Sequence, residues 1–415
     1  MNNFQKVLRN TIFLASTEMA LKILGFLWIV YLGRVLTVGL FGTYSVVNSF
    51  ITIFSFLPEL GIGLIVVREI AKDRNNVDEY LSSSFIINIT MAIVTVILIF
   101  VTSWVLHYPG NLTQLLFVAS ITLLVGTLRS APLYFFEGTE NMKMVSVLNF
   151  FNTLLLIGGA MIGFSLSFSL LGIFMGMLAG TVVSLALSFV VFLKHHHIPR
   201  VVFRIETIRK TIFMGLPLAI ASFSFLVYTR VESIIILQLL GDKAVGIYNS
   251  ATPFVLSLMQ LLNLPFVMAL YPTLVKLFEE DKTRFQKAIK KSLLVIAFWS
   301  FPSAFIIHFF APSIIPFFFG EKFNTGIPVL QILIFFVPFA SLSALLYKIL
   351  IIYNRQKLYM VINLIGAGID MLLNIVLINN FGLIGAAYAS VTTQLVLFAI
   401  FGFFVWRISL NKKII

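Results

Sequence analysis

The sequence predicts an all-α membrane protein of twelve transmembrane helices, arranged as two bundles of six. Three observations lead to this fold class: the composition, the number of long apolar runs and a set of repeated motifs. Of the 415 residues, 60% are hydrophobic and only 11% are charged, and the mean hydropathy is +1.03. One soluble core cannot bury that much apolar surface, so a polytopic membrane protein is expected.

Twelve apolar runs reach the length of roughly 20 residues that a helix needs to cross a bilayer. They are approximately 11–33, 42–67, 81–106, 113–135, 145–165, 169–193, 212–240, 244–270, 292–312, 327–352, 358–379 and 383–406. The first run is too long for a cleavable signal sequence and is predicted to be retained as a span. Because the chain contains no cysteine, disulfides, thiolate metal sites and cysteine nucleophiles are excluded.

The placement of the basic residues predicts the orientation of the chain. With the N-terminus inside, the inner connections carry 24 of the 29 Lys and Arg, the outer connections carry three, and Lys22 and Arg230 lie within spans. This asymmetry follows the positive-inside rule. We therefore expect a cell-membrane protein with both termini cytoplasmic, and the net charge of +13 reports orientation and contact with membrane lipids rather than a nucleic-acid partner.

The connections predict the domain organisation. A basic stretch at 194–211 divides the chain into an N-terminal bundle, 1–193, and a C-terminal bundle, 212–415. The outer connections are too short to hold a soluble catalytic domain, so no enzyme activity, catalytic residue, cofactor or metal site is predicted. The segment 278–291 combines apolar residues with several lysines and is expected to form an amphipathic helix on the cytoplasmic leaflet.

Short motifs recur in the two halves in the same order. They share these pairs: Gly42/Gly246, Tyr44/Tyr248 and Phe50/Phe254, then Lys143/Lys357, Val147/Val361 and Asn149/Asn363, and then Phe168–Gly172 with Phe381–Gly385. The offsets of 204, 214 and 213 follow chain order, as a duplication would produce. Since each half has an even number of spans, the halves are expected to be parallel repeats about an axis along the membrane normal, with a cleft between them.

Three stretches carry a family resemblance. They are PELGIGLIVVREIA at Pro58–Ala71, YTRVESIIILQLLGDKAVGIYNSA at Tyr228–Ala251 and FGLIGAA at Phe381–Ala387. Together with the twelve runs and the repeat, they resemble the polysaccharide transporter, or O-antigen flippase, family of the multidrug/oligosaccharidyl-lipid/polysaccharide (MOP) exporter superfamily. The resemblance implies a V-shaped, MATE-like transporter that moves a polyprenyl-pyrophosphate-linked oligosaccharide to the outer leaflet by alternating access, in concert with polysaccharide assembly proteins.

Two cations within predicted spans are candidates for substrate binding. Lys22 stands 11 residues before Gly33 and Arg230 stands 11 residues before Gly241, so they are predicted to be symmetry mates in the cleft. A charge at the bilayer centre costs about 2.5–3.5 kcal/mol on insertion scales and usually serves a function. Lys and Arg both bind phosphate oxygens. The alternative is structural: Lys22 pairs with Glu18, one turn earlier, and Arg230 pairs with a nearby carboxylate.

Three carboxylates within spans, Glu18, Glu232 and Asp370, are candidates for ion coupling or charge balance. Glu18 and Glu232 lie near cations, which favours charge balance. Asp370 has no basic residue in its own span and is preceded by small residues, so it is the stronger candidate to bind a proton or Na⁺ during transport.

Two other functions remain open from the sequence. An ion-coupled multidrug antiporter of the same superfamily shares the expected fold, although the first span has Glu18 and lacks the proline often found there in that branch. A membrane-embedded polysaccharide polymerase or ligase is less favoured, because the outer connections lack the long loop and the acid and base groups that such chemistry requires.

Overall fold

The structure, a computed structural model, describes residues 3–196, 202–260 and 264–410, and no strand occurs among them. The helices are α1 Asn3–Val35, α2 Val38–Phe54, α3 Phe56–Glu59, α4 Ile62–Lys72, α5 Val77–Val105, α6 Gly110–Leu128, α7 Ser130–Gly138, α8 Met142–Ser167, α9 Leu170–His195, α10 Ile205–Leu240, α11 Asp242–Leu258, α12 Leu264–Glu280, α13 Lys282–Phe319, α14 Ile327–Leu333, α15 Phe336–Ile352, α16 Gln356–Phe381 and α17 Leu383–Leu410. Short 3₁₀ turns occupy Arg74–Asn76 and Glu321–Gly326. The predicted all-α fold class is confirmed.

Nine segments of the described chain are long and apolar enough to cross a membrane. They correspond to nine of the twelve predicted runs, and the other three runs fall on α1, on α10 and on α11 with α12. Several spans are built from more than one helix. Val38–Lys72, for example, is interrupted between α3 and α4, where Leu60 and Gly61 adopt φ values of 41° and 64°.

The expected surface helix at 278–291 is not a separate element. Helix α12 ends at Glu280, and Asp281 caps the next helix by accepting hydrogen bonds from the backbone N–H groups of Thr283 and Arg284. Helix α13 then continues without a break to Phe319. Residues 278–280 therefore end α12, and residues 282–291 form the first turns of the long helix α13, with the Asp281 cap at the break.

The chain forms two compact units. Unit 1 comprises Met1–Gly25 and Val47–Leu226, and unit 2 comprises Phe26–Val46 and Val227–Ile415. Helices α1, α2 and α10 therefore each contribute to both units. The division into bundles 1–193 and 212–415, joined by a linker at 194–211, remains a prediction, and residues 197–201 of that linker lie outside the described residues.

Unit 1 is held together by an apolar cluster and by a close helix pair. Ile70, Phe135 and Phe192 are buried in the cluster, which joins α4, α7 and α9. Helices α8 and α9 pack backbone to backbone through glycines at four-residue spacing. A Cβ added to Gly159 would lie 2.2 Å from the carbonyl oxygen of Gly176, so only glycine permits this approach.

Unit 2 contains the crossing of two helices from the repeated motif, α2 and α11. A Cβ on Gly42 would lie 1.8 Å from the carbonyl oxygen of Asp242, and one on Gly246 would lie 2.1 Å from that of Val38. Gly42 on α2 therefore lies against the backbone of α11, and its repeat-related partner Gly246 on α11 lies against the backbone of α2. Nearby, Arg34 Nε donates to the carbonyl of Phe318 at 2.8 Å, so a cation satisfies a carbonyl at the C-terminal end of α13.

Candidate substrate and ion sites

Lys22 and Glu18 lie on α1 within unit 1, and both side chains are exposed. No salt bridge joins them, or links Lys22 to another carboxylate, in the part of the chain that the structure describes. The alternative in which Lys22 is neutralised by Glu18 is therefore not observed. An exposed, unpaired ammonium group in a membrane helix remains available to an anion.

Arg230 lies on α10 within unit 2 and is half-buried. Glu232, two residues later, attracts its guanidinium electrostatically. However, no carboxylate of the described residues approaches Arg230 within 4.0 Å. Its positive charge is thus partly balanced, and its donors are not occupied by a salt bridge.

Hydrogen bonds fix the register of the repeat. Trp28 Nε1 donates to the hydroxyl of Tyr44 at 3.0 Å, and the hydroxyl of Tyr248 donates to Glu232 Oε2 at 2.5 Å; both pairs are 16 residues apart. A tyrosine hydrogen-bonded to the residue 16 positions earlier thus recurs at an offset of 204, although Tyr44 accepts and Tyr248 donates, and this aligns Trp28 with Glu232. Arg230 consequently corresponds to Phe26, and the predicted symmetry between Lys22 and Arg230 is wrong by one helical turn. Alignment on Gly33 and Gly241 missed this because the two glycines are not equivalent: Gly33 lies within α1, whereas Gly241 follows the end of α10.

Glu232 is the acceptor at the centre of a buried network in unit 2. Its Oε2 accepts from Tyr248 on α11, and its Oε1 accepts from Ser390 Oγ on α17 at 2.6 Å. Tyr248 and Ser390 are each 2% exposed. Both carboxylate oxygens of Glu232 are therefore hydrogen-bonded, which compensates for the cost of placing this group inside the unit.

Asp370 lies on α16 and is fully buried. The Nδ2 atom of Asn374 donates to Asp370 Oδ2 at 3.1 Å, and the Thr393 hydroxyl on α17 is a neighbour. Three oxygens here, Oδ1 of Asp370, Oδ1 of Asn374 and Oγ1 of Thr393, have no hydrogen-bond partner among the described residues. A buried carboxylate with an unpartnered oxygen is costly unless a proton or a cation satisfies it.

The sequence of α16 explains why Asp370 faces inward. Ile362, Gly366, Asp370, Asn374 and Ile378 are buried at four-residue spacing and so form one face of the helix. At Gly366 an added Cβ would lie 2.7 Å from a Leu397 side-chain carbon, so the missing side chain lets this face approach α17.

Glu232 and Asp370 are electrostatic neighbours, so α10, α11, α16 and α17 together form one polar cluster, which we call the carboxylate cluster: Glu232, Tyr248, Asp370, Asn374, Ser390 and Thr393. All the polar side-chain atoms of the cluster are oxygens apart from the Asn374 amide nitrogen. Oxygen donors suit a proton or a hard cation. Within the described residues no group of three or more His, Cys, Asp and Glu forms a multivalent metal site.

Sequence reasoning missed one buried cation in unit 1. Arg129 stands between α6 and α7, is 7% exposed, and donates through Nη2 to Asn149 Oδ1. Its Nε has no partner within the described chain. The charge count places Arg129 with the inner connections although the predicted run 113–135 extends past it, and so does not treat it as a cation within a span.

Two curated proteins align with this chain over most of its length. The "Putative O-antigen transporter" of Escherichia coli (strain K12) is 25% identical over 391 residues, which is 93% of each chain. The "Capsular polysaccharide biosynthesis protein CapF" of Staphylococcus aureus is 25% identical over 404 residues, covering 96% of this chain and 98% of the relative.

The fold also matches a solved structure, "Lipid II flippase MurJ, inward closed conformation". The TM-score is 0.75 at 15% identity, with 95% of this chain and 87% of that chain covered. The MatE family model matches residues 217–376. The polysaccharide biosynthesis protein model matches residues 7–278, which is more than half of the chain. The chain therefore belongs to the polysaccharide biosynthesis protein family, and the resemblance to polysaccharide transporters of the MOP superfamily is confirmed.

Proposed function

We propose that this protein is a flippase that moves a polyprenyl-pyrophosphate-linked oligosaccharide from the inner to the outer leaflet of the cytoplasmic membrane, for cell-surface polysaccharide synthesis. The unpaired positive charge of Lys22 at the centre of α1 is the observation that carries this proposal. The names of the two full-length relatives, one an O-antigen transporter and the other a capsule protein, point to the same substrate class. Both termini are cytoplasmic in this proposal, and polysaccharide assembly proteins deliver and receive the substrate.

The proposed substrate explains why cations are retained in membrane helices. A pyrophosphate linked to a glycan cannot enter hydrocarbon unaided, because its charge and hydroxyl groups would lose their hydration. Lys22 offers a compact charge without a competing carboxylate, and Arg230 offers a planar set of donors that fits phosphate oxygens. We assign the first contact with the pyrophosphate to these two side chains. Glu18 balances charge on α1.

The function is tested with purified protein in proteoliposomes that contain a fluorescent polyprenyl-pyrophosphate oligosaccharide. Transfer between leaflets is measured as the fraction of label accessible to a membrane-impermeant quencher. We expect protein-dependent transfer of this substrate and none of a free oligosaccharide that lacks the lipid pyrophosphate. Equal rates with empty liposomes would reject the flippase.

Substitution of Lys22 by Met should raise the substrate concentration for half-maximal transport about tenfold, because a charge-assisted hydrogen bond contributes about 1.5–3 kcal/mol and each 1.4 kcal/mol corresponds to a factor of ten. Lys22→Arg should retain most activity, since the charge is kept. Arg230→Gln and Arg230→Lys form the same comparison in unit 2. The concentration of substrate that gives half-maximal transport is the measurement.

The matched control is Lys143→Met, which removes an exposed lysine of unit 1 near the start of α8. It should transport as the unmodified protein does. If Lys22→Met and Arg230→Gln both equalled this control, the assignment of the pyrophosphate contacts would fail while the flippase activity itself would stand.

We further propose that the carboxylate cluster couples transport to a proton or Na⁺. Asp370 has the unpartnered oxygen that a coupling ion would contact, and Glu232 supplies a second carboxylate held by Tyr248 and Ser390. The repeat-related contact between Trp28 and Tyr44 contains no carboxylate, so this chemistry is specific to the copy of the motif that contains Glu232 and Tyr248.

An ion-coupled multidrug antiporter is the second candidate, and the match of the MatE model to residues 217–376 favours it. The same carboxylate cluster would serve that function. The two candidates differ in cargo: an antiporter of cationic drugs would expel a cationic dye from loaded liposomes, whereas exposed Lys22 would repel such a dye. Dye efflux without lipid-linked glycan transfer would favour the antiporter.

A further inference from the structure

One cavity outside the carboxylate cluster combines three cations with an uncapped helix. It has a volume of about 590 Å³, lies in unit 2 between the start of α16 and the end of α17, and is lined by Asn354, Arg355, Gln356, Lys357, Leu358, Phe404, Arg407 and Ile408. Arg355, Lys357 and Arg407 are exposed. No carboxylate lines the cavity, and none of the three forms a salt bridge among the described residues.

The first turn of α16 lacks an internal acceptor. The residue at its N-cap, Arg355, makes no side-chain capping hydrogen bond. The first backbone N–H groups of any α-helix have no partner within the helix, and a side-chain oxygen or a ligand normally accepts from them. Gln356, Lys357 and Leu358, which carry these groups, all line the cavity. Three cations and free N–H groups therefore surround one space.

The internal repeat provides a comparison within the same chain. Asn354 and Glu140 are repeat-related and adopt matching φ values of 58° and 59°, so the two turns share one backbone conformation. In unit 1 the next residue is Asn141, whose side chain caps α8 by accepting from the N–H of Met144. In unit 2 the same position is Arg355, which has no acceptor. The backbone conformation of this turn therefore does not require a cation. In unit 2 the side-chain acceptor that caps the helix in unit 1 is replaced by the guanidinium of Arg355, which can only donate.

The residues around this cavity favour an amphiphilic ligand. Leu358, Phe404 and Ile408 supply apolar lining, and on the same end of α17 the side chains of Phe403 and Trp406 are 51% and 60% exposed. Exposed aromatic side chains at a helix end mark the level of lipid headgroups, and basic pockets between helices on the cytoplasmic side bind anionic headgroups. The positive-inside rule predicts that this end of unit 2 is cytoplasmic.

We propose that this cavity binds the phosphate of an anionic membrane phospholipid, with the three cations pairing with the phosphate and the phosphate capping α16. Phosphate at a helix N-terminus is stabilised both by the free N–H groups and by the helix dipole. The apolar lining holds the first part of the acyl chains. This site is independent of the proposed transport of a lipid-linked glycan, because it uses none of the residues assigned to that cargo.

The test compares binding of phosphatidylglycerol and phosphatidylcholine to the full-length protein by native mass spectrometry. We expect the unmodified protein to retain phosphatidylglycerol preferentially. The triple variant Arg355→Asn, Lys357→Gln and Arg407→Gln should bind phosphatidylglycerol at least about tenfold more weakly than the unmodified protein, because its charge-assisted contacts are lost. Asn at 355 restores the cap that unit 1 already uses, so the variant is expected to fold. The matched control, Lys143→Gln with Lys194→Gln, removes two exposed cations from unit 1.

Inorganic pyrophosphate in detergent is the second probe, because it presents phosphate without a lipid. Selective loss of phosphatidylglycerol by the triple variant, with no pyrophosphate binding to the unmodified protein, supports the lipid site. Pyrophosphate binding that the triple variant loses, without any preference for phosphatidylglycerol, overturns the lipid assignment in favour of a soluble anion. Equal phosphatidylglycerol binding by the triple variant and the control overturns the site altogether.

Discussion

Substitution of Asp370 by Asn is expected to remove the ion dependence of transport. The change keeps the volume of the side chain and its neighbour Asn374, but it removes the only ionisable group on α16 that lies in the carboxylate cluster. Transport driven by a proton or Na⁺ gradient should fall more than about tenfold, because a neutral amide does not bind a cation as a carboxylate does. The measurement is the transport rate in proteoliposomes with and without each imposed gradient.

Binding of the ion should be visible without transport. If Na⁺ is the coupling ion, it should raise the midpoint of thermal denaturation of the unmodified protein, because a ligand that binds only the folded state stabilises it. Asp370→Asn should lose this shift, and Glu232→Gln should reduce it. Glu279→Gln, which alters an exposed acid of α12, is the matched control and should keep the shift. Full gradient dependence in Asp370→Asn would exclude a coupling role for this residue.

Substitution of Gly246 by Ala should cause a large loss of stability. The added Cβ would lie 2.1 Å from the carbonyl oxygen of Val38, a backbone atom that can move only if α2 and α11 separate. Such overpacking costs about 1–3 kcal/mol, and occasionally more. Gly42→Ala meets the carbonyl of Asp242 at 1.8 Å and should behave in the same way. The fall in thermal denaturation midpoint, followed by size-exclusion chromatography of heated samples, measures the effect.

Gly368→Ala on α16 is the matched control for this experiment. An added Cβ there meets no atom within 4 Å, so it should be neutral or stabilising, since Ala is favoured over Gly in a helix by about 1 kcal/mol. If Gly246→Ala melted at the same temperature as Gly368→Ala, the close crossing of α2 and α11 would not be a determinant of the stability of unit 2.

The carboxylate cluster shows where sequence reasoning reached its limit. Asp370 and Glu232 stood out because a charge within an apolar run is costly and therefore needs a reason. Their association depends on residues more than 130 positions apart, such as Glu232 and Ser390, which no local pattern brings together. Tyr248 was noticed only as a repeated residue, and its hydrogen bond to Glu232 required the packing of α10 against α11.

The sequence by itself determined the membrane class, the helical fold, the family and the candidate charges, because apolar length, charge asymmetry and motif order are properties of contiguous residues. The tertiary structure alone decided that Lys22 is not paired with Glu18 and that α16 begins uncapped beside three cations. Those outcomes depend on how distant helices pack and on which hydrogen-bonding groups the packing leaves without partners.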